Sequence, residues 1–199
     1  MKNIIYFLLV VLISSCSSQI QFSEPQPPAT PNISNFNDDQ VGIYLANDSN
    51  IIQILPQAVI TSYLSANADS TSDVKLDGTL KINNQVHQLN VLSDLKLNFK
   101  ADTLATLNQN GVLKKFKNNY YLNVVSDHGY ILYCLTFSNN SLILKQQTEN
   151  DRSILDDLVA EKKTLEDSAS IFKPKFSEFK EYIKQKDAFA NSKKFYKIN

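Results

Sequence analysis

The stretch Gly111–Lys145, GVLKKFKNNYYLNVVSDHGYILYCLTFSNNSLILK, decides the fold. Four runs rich in β-branched and aromatic residues start at 112, 120, 130 and 141, which is 8, 10 and 11 residues apart, and KNN, SDHG and SNN separate them. Val, Ile, Tyr and Phe suit a pleated, half-buried surface, while Asn, Asp and Gly make tight reversals. This spacing predicts consecutive antiparallel hairpins, a meander. Its third run, YILYCLTF (130–137), is apolar on both faces. A strand of that kind needs cover on each side, which predicts a central position and places Cys134 in the core.

The same alternation extends upstream. VGIYLANDSNIIQIL (41–55) predicts a strand pair turned at Asn47–Asn50, and TLKINNQVHQLNV (79–91) a hairpin around Asn83-Asn84. In LKLNFK (95–100), Leu95, Leu97 and Phe99 fall on one face with Lys96, Asn98 and Lys100 on the other, as in a strand wetted on one side. Downstream the period changes. Ile154, Leu155, Leu158, Val159 and Leu165 recur at helical spacing behind a candidate cap at Ser153, and Phe176, Phe179, Tyr182 and Ile183 form a second helical stripe after Pro174. The first stretch is acidic and 173–199 is basic, so the two can lie antiparallel and partly neutralise each other. KKFYKI (193–198) can close the sheet as a last strand.

The predicted fold is therefore α+β: an antiparallel meander sheet of about 8–10 strands, strongly curved or barrel-like, with one or two C-terminal helices packed on it. The β region covers 41–150, and a helical region with the final strand covers 151–199 of the same domain. A chain of 199 residues has room for one ordinary domain. Its formal net charge is zero, so no global field draws it to nucleic acid, which is not expected as a partner. Arg152 is the one arginine among 20 basic residues, which leaves few bidentate forks for phosphate.

The N-terminus carries a different signal. MKNIIYFLLVVLISSC begins with a positive charge at Lys2, continues with an apolar run from Ile4 to Ile13, and ends on small residues and a cysteine. Those are the parts of an export signal over 1–15. As a helix the run would span only ~15 Å, about half a bilayer core, which disfavours a permanent membrane span. ISSC, Ile13-Ser14-Ser15-Cys16, resembles the lipobox of bacterial lipoproteins. The resemblance covers this segment alone and implies cleavage before Cys16, diacylation of its thiol and acylation of the new amine. Membrane lipid, through those chains, is then a partner, because two chains hold where one only visits. Ser17 after the cysteine implies the outer membrane of the cell envelope rather than the inner. An ordinary signal peptide cut near the same serines is the plainer alternative. Residues 16–40 include four of the six prolines and predict a lipidated cysteine followed by a Pro-rich tether. Its flexible reach of ~25–30 Å would lift a domain clear of the headgroups. The competing expectation is an extended strand along the domain, with Ile33 and Phe36 as contacts.

Chemistry-bearing patterns are few. With Cys16 lipidated, Cys134 has no intramolecular disulfide partner. Cys134, His128 and Asp127 hold the pieces of a nucleophilic dyad, yet a strand interior supplies nothing to lower the thiol pKa, so a core cysteine is expected. His87 and His128 lie in unrelated contexts, and NDSN (47–50) lacks the glycine and distant glutamate of a calcium loop, so no metal site and no cofactor are predicted. The stretch GVLKKFKNNYYLNVV interleaves Lys114, Lys115 and Lys117 with aromatics, a mix that binds single strands but that a wet hairpin or a contact with lipid headgroups explains as well. The expected function is a non-catalytic binding or accessory component of the envelope, with a protein partner there. An immunity-type lipoprotein that neutralises a periplasmic effector is the second expectation, and an envelope enzyme using Cys134 and His128 the third.

Overall fold

The computed structural model describes residues 20–48, 50–66, 78–82, 85–89, 97–165 and 169–198, with backbone alone for 63–66, 78–82, 85–89 and 97–101. In chain order the elements are β1 (Ile20–Phe22), β2 (Asn32–Ile33), β3 (Gly42–Leu45), β4 (Asn50–Leu55), β5 (Ala58–Ala66), β6 (Gly78–Ile82), β7 (Gln85–Leu89) and β8 (Leu97–Thr106). Then come β9 (Gly111–Phe116), β10 (Asn119–Ser126), β11 (Gly129–Ser138), β12 (Ser141–Gln146), α1 (Glu149–Leu158), β13 (Lys162–Thr164), β14 (Ser170–Phe172), α2 (Phe176–Tyr182) and β15 (Asn191–Ile198).

The 111–145 stretch forms the expected meander. Tyr120 pairs with Lys115 on one side and Leu135 on the other, and Leu135 in turn pairs with Leu144, so β9, β10, β11 and β12 lie in chain order. The sheet continues from β12 through β15, β3, β4 and β5 to β8, while β2 extends it beyond β9. Strand β11 is the branch point. Its later half pairs with β12, and on that same edge Tyr130 pairs with Phe22 of β1, which leads on through β14 to β13. A further β6–β7 hairpin stands as a 2-stranded sheet. The 13 strands of the large sheet exceed the sequence expectation because β1, β2, β13 and β14 are two or three residues long and too short to show a period.

Alternation along β10 and β11 explains three layers. Tyr120, Leu122 and Leu135 point inward and pack against Ile52, Ile54 and Val59 of β4 and β5, so the sheet curls over its own inner face as a half-barrel. Tyr121, Leu132 and Cys134 point outward and are covered by Leu155 of α1, Phe179 and Tyr182 of α2, and Ile20, Phe22 and Phe172. Each fully buried Leu or Phe here contributes roughly 1.5–3 kcal/mol of transfer free energy. The doubly apolar pattern of YILYCLTF is the trace of this double cover.

Both helices are present, with one correction. The first begins at Glu149 behind Thr148, not Ser153, and Leu165 lies past its end. Thr148 donates its backbone N–H to Asp151 Oδ2 at 2.7 Å, and Phe189 N–H and the Tyr182 hydroxyl donate to Oδ1 at 2.7 and 2.6 Å. One buried carboxylate thus ties α1, α2 and the approach to β15. Phe189 holds a left-handed φ of 54° that an aromatic residue rarely adopts, and its N–H bond to Asp151 and its ring contact with Tyr182 hold it there.

The tether expected over 16–40 is corrected from Ile20 onward. Residues 20–22 are a buried strand, and Phe36 is a core residue. The prolines between them are clamped. Lys114 Nζ donates to the carbonyls of Pro25 and Pro27, both at 2.9 Å, while Asn123 accepts from Gln26 N–H at 2.6 Å and donates to Gln26 O at 2.8 Å. The Gln26-Pro27 peptide bond is cis. Gly129 makes room for β1, since a Cβ there would stand 2.3 Å from the Phe22 carbonyl oxygen. The signal segment, Cys16, the Asn83-Asn84 turn, and Leu95 and Lys96 lie outside the described residues.

Candidate functional site

Three reversals meet at one end of the half-barrel: the β9–β10 turn, the β11–β12 turn and the loop before β3. Together they border an open cleft of about 460 Å³, within the usual range for small-ligand sites. Its apolar lining comes from Tyr120 and Phe137, whose rings meet edge to face at 5.6 Å. Phe36 and Tyr44 join the same cluster from beneath, with centroids 6.1 and 6.2 Å from Phe137. This aromatic plug closes the inner core and gives the cleft a rigid floor.

The rim is polar. Asn37 and Gln40 form a closed turn, with Gln40 N–H donating to Asn37 O at 2.9 Å and Asn37 N–H donating to Gln40 Oε1 at 3.0 Å. Tyr44 braces that turn from below through a 2.7 Å bond from its hydroxyl to Gln40 O. Burial, helped by the charge of Asp39, pushes the Tyr44 phenol up to about 12, so it remains a donor across the ordinary pH range. Lys197 Nζ holds the Asp39 carbonyl at 2.8 Å, which ties the loop to β15. On the facing side the Lys115 ammonium stands 5.0 Å from the Tyr120 ring centre, and Asn118, Ser138 and Asn139 supply neutral donors and acceptors. One carboxylate and one ammonium at the rim balance in charge. Side-chain amides present donors and acceptors together, so the site suits a polar, net-neutral group with both kinds of partner.

Cys134 and His128 do not come together. The thiol is buried, and burial pushes it up to about 11, away from the thiolate a nucleophile needs. His128 sits in the turn before β11, and Gly129 to Cys134 spans five residues of that strand, roughly 17 Å. Nor is the basic hairpin uniformly wet. Lys114 is buried among the proline carbonyls, where desolvation lowers its pKa against the raising influence of Glu24, whereas Lys115 and Lys117 remain exposed. Asn47 and Asp48 fall in the turn before β4, and Asp48 is held at about 2 chiefly by its bond to Lys193, the role of a fastened turn. His87 lies on β7 opposite Leu80. No helix among the described residues is long and apolar enough to cross a membrane.

Of the mouth residues, Lys115, Asn118 and Tyr120 fall in the basic and aromatic stretch that the sequence singles out, and no motif marks the others. They come from three reversals far apart in sequence, and only the curl of the sheet assembles them. Comparison with protein-family models, curated proteins and solved structures finds no match to the chain.

Proposed function

We propose that the chain is an exported lipoprotein of the cell envelope, anchored through acyl chains on Cys16, and that it acts by binding at the mouth of the half-barrel. The anchor rests on the ISSC resemblance at Ile13–Cys16. The binding role is carried by one observation: a preformed cleft with a braced aromatic floor and a charge-balanced amide rim. A rigid concave site of this kind loses little entropy on binding, which favours recognition of a small polar ligand or of a partner's polar loop. By resemblance, Ser17 directs the anchor to the outer membrane.

The test is photo-crosslinking in living cells. A photoreactive residue at Asn118 or Asn139 should trap an envelope component, and one at exposed Lys186, in the α2–β15 loop at the other end of β12, should not. Failure at both mouth positions, with full-length protein present in the membrane, refutes the binding role. A small secreted protein trapped in stoichiometric amount would favour the inhibitor function over an accessory one. The anchor is tested separately, since Cys16→Ala should leave an unprocessed precursor that takes up no labelled acyl chain.

A further inference from the structure

We infer that the domain is seated flush against the bilayer, with the edge formed by β13 and β14 turned toward the lipid headgroups. This rests on acylation of Cys16 and goes beyond it, because lipoprotein anchors are compatible with long tethers. Two features of the chain remove the tether here. Cys16 is separated from Ile20 by three residues, and Ile20 already belongs to a buried strand. Four Cα-to-Cα steps span at most ~14 Å. The headgroup zone on one side of a bilayer takes roughly 5–7 Å of that length. Less than ~10 Å then remains between headgroups and β1, narrower than a single packed helix.

Register shows which surface lies beside the anchor. Ile20 pairs with Ser170 of β14, and Ser170 pairs with Thr164 of β13. At the usual strand spacing Thr164 lies about 10 Å from Ile20. All three residues of β13, Lys162, Lys163 and Thr164, are exposed. Lys162 is engaged by Asp156 at 2.9 Å, while among the described residues no carboxylate pairs with Lys163. Lysines on a sheet edge discourage strand pairing between copies. Here they also set ammonium groups at the height of lipid phosphates, on the edge nearest the acyl chains. The opposite outer layer, β4 and β5, lies across both cores, roughly 20 Å away at ordinary sheet spacings.

Depth quenching of the acylated full chain tests this. Lys163→Cys and Gln57→Cys each receive a bimane label, and buried Cys134 leaves the introduced thiol as the reactive one. In phosphatidylethanolamine–phosphatidylglycerol vesicles doped with a headgroup-nitroxide lipid, the label at position 163 should be quenched several-fold more than the label at 57. A twenty-residue Gly/Ser insertion between Ser18 and Gln19 adds about 25 Å of reach and should bring position 163 down to the level of 57. Mass measurement on the same sample scores acylation. An unacylated chain refutes the anchor itself. An acylated chain with equal quenching at both positions, or with quenching at 163 that survives the insertion, overturns the flush seating while the anchor stands.

Discussion

Removing the carboxylate of Asp151 should cost more stability than any other single polar truncation in the helical layer. Asp151 is fully buried and accepts four hydrogen bonds, from Thr148 N–H, the Thr148 hydroxyl, the Tyr182 hydroxyl and Phe189 N–H. In Asp151→Ala the Tyr182 and Phe189 donors stay buried without an acceptor, at about 1–3 kcal/mol each. Loss of the bond to Thr148 at the helix start adds ~1 kcal/mol. Relief from holding a charge in the interior offsets part of this, which leaves about 4 kcal/mol. Asp151→Asn keeps an oxygen for Tyr182 and Phe189 but turns an N–H toward Thr148, and should cost about 2 kcal/mol. The chain has no Trp, so urea unfolding is best followed by far-ultraviolet circular dichroism. With a slope of about 2–3 kcal/mol/M, the alanine variant should shift the midpoint down by about 1.3–2 M. Tyr182→Phe removes one of the two orphaned donors, so in a double-mutant cycle it should couple to Asp151→Ala by about 1–2 kcal/mol. An alanine shift below about 0.3 M, or a coupling near zero, would refute the claim that this carboxylate joins α1, α2 and the approach to β15.

Three further outcomes follow from the same structure. Cys134 should resist thiol reagents in the folded protein and react once on unfolding. Its folded pKa of about 11 lies above the ordinary 9.0, so its contribution is fully present below pH 9 and lost as pH rises through 11. Cys134→Ala should therefore lose less stability than the parent between pH 9 and 11, and identical pH profiles would exclude this origin of alkaline sensitivity. Lys114→Met keeps the buried stem but strips the Pro25 and Pro27 carbonyls of their donor, a loss of about 1–3 kcal/mol at neutral pH by chemical denaturation. Burial lowers the Lys114 pKa, so above that value the unfolded chain binds more protons and the parent gains stability until 10.5; the deficit of the variant should widen with rising pH. Finally, a chain starting at Val41, the boundary suggested by sequence, should show weak tertiary signal and bind a hydrophobic dye, whereas one starting at Gln19 should melt cooperatively. Equal melting of the two would mean that 20–40 is dispensable to the core.

The meander was legible because each of its parts is local. Turn clusters and alternation within ten residues suffice for β9 to β12, and the change to a helical period located α1 and α2. The start of α1 falls at Thr148 and not at the expected Ser153; Thr148 and Asp151 stand three apart in a capping pattern that the apolar stripe beginning at Ile154 obscured. The N-terminal segment was legible only through the competing expectation of an extended strand with Ile33 and Phe36 as contacts, because its fold depends on partners about ninety residues away. Lys114 and Asn123 bond to Pro25, Gln26 and Pro27 across separations of 87 to 97 residues. Proline brings no N–H to satisfy, so such a segment can be buried if only its carbonyls are met, and composition alone cannot tell it from a tether. The trace it leaves lies elsewhere, as a buried lysine and a buried asparagine, Lys114 and Asn123, on the outer face of β9 and β10. The mouth site leaves less trace: Lys115 belongs to the basic hairpin that the sequence singles out, but Asn37 and Asn139 each occupy an ordinary turn.

Strand β11 connects the two ends of the molecule that matter for the proposed function. Near its start, Tyr130 receives β1, the strand next to the proposed anchor cysteine; at its end, Phe137 forms part of the floor of the mouth. Seven residues of extended chain separate them, about 23 Å. The strand is paired with β10 on one edge and with β12 and β1 on the other, and it is packed on both faces. A strand held in this way cannot bend or slip register without breaking both cores, so it behaves as a strut. Whatever binds at the mouth is held at a distance from β1 that the length of β11 sets, with no flexible linker between. A mobile tether would let the site search a volume of periplasm. With Cys16 acylated as proposed and only three residues between it and β1, the mouth mounted on this strut would instead sample a thin layer at fixed height above the lipid, which would suit a ligand or partner that is itself held at the membrane.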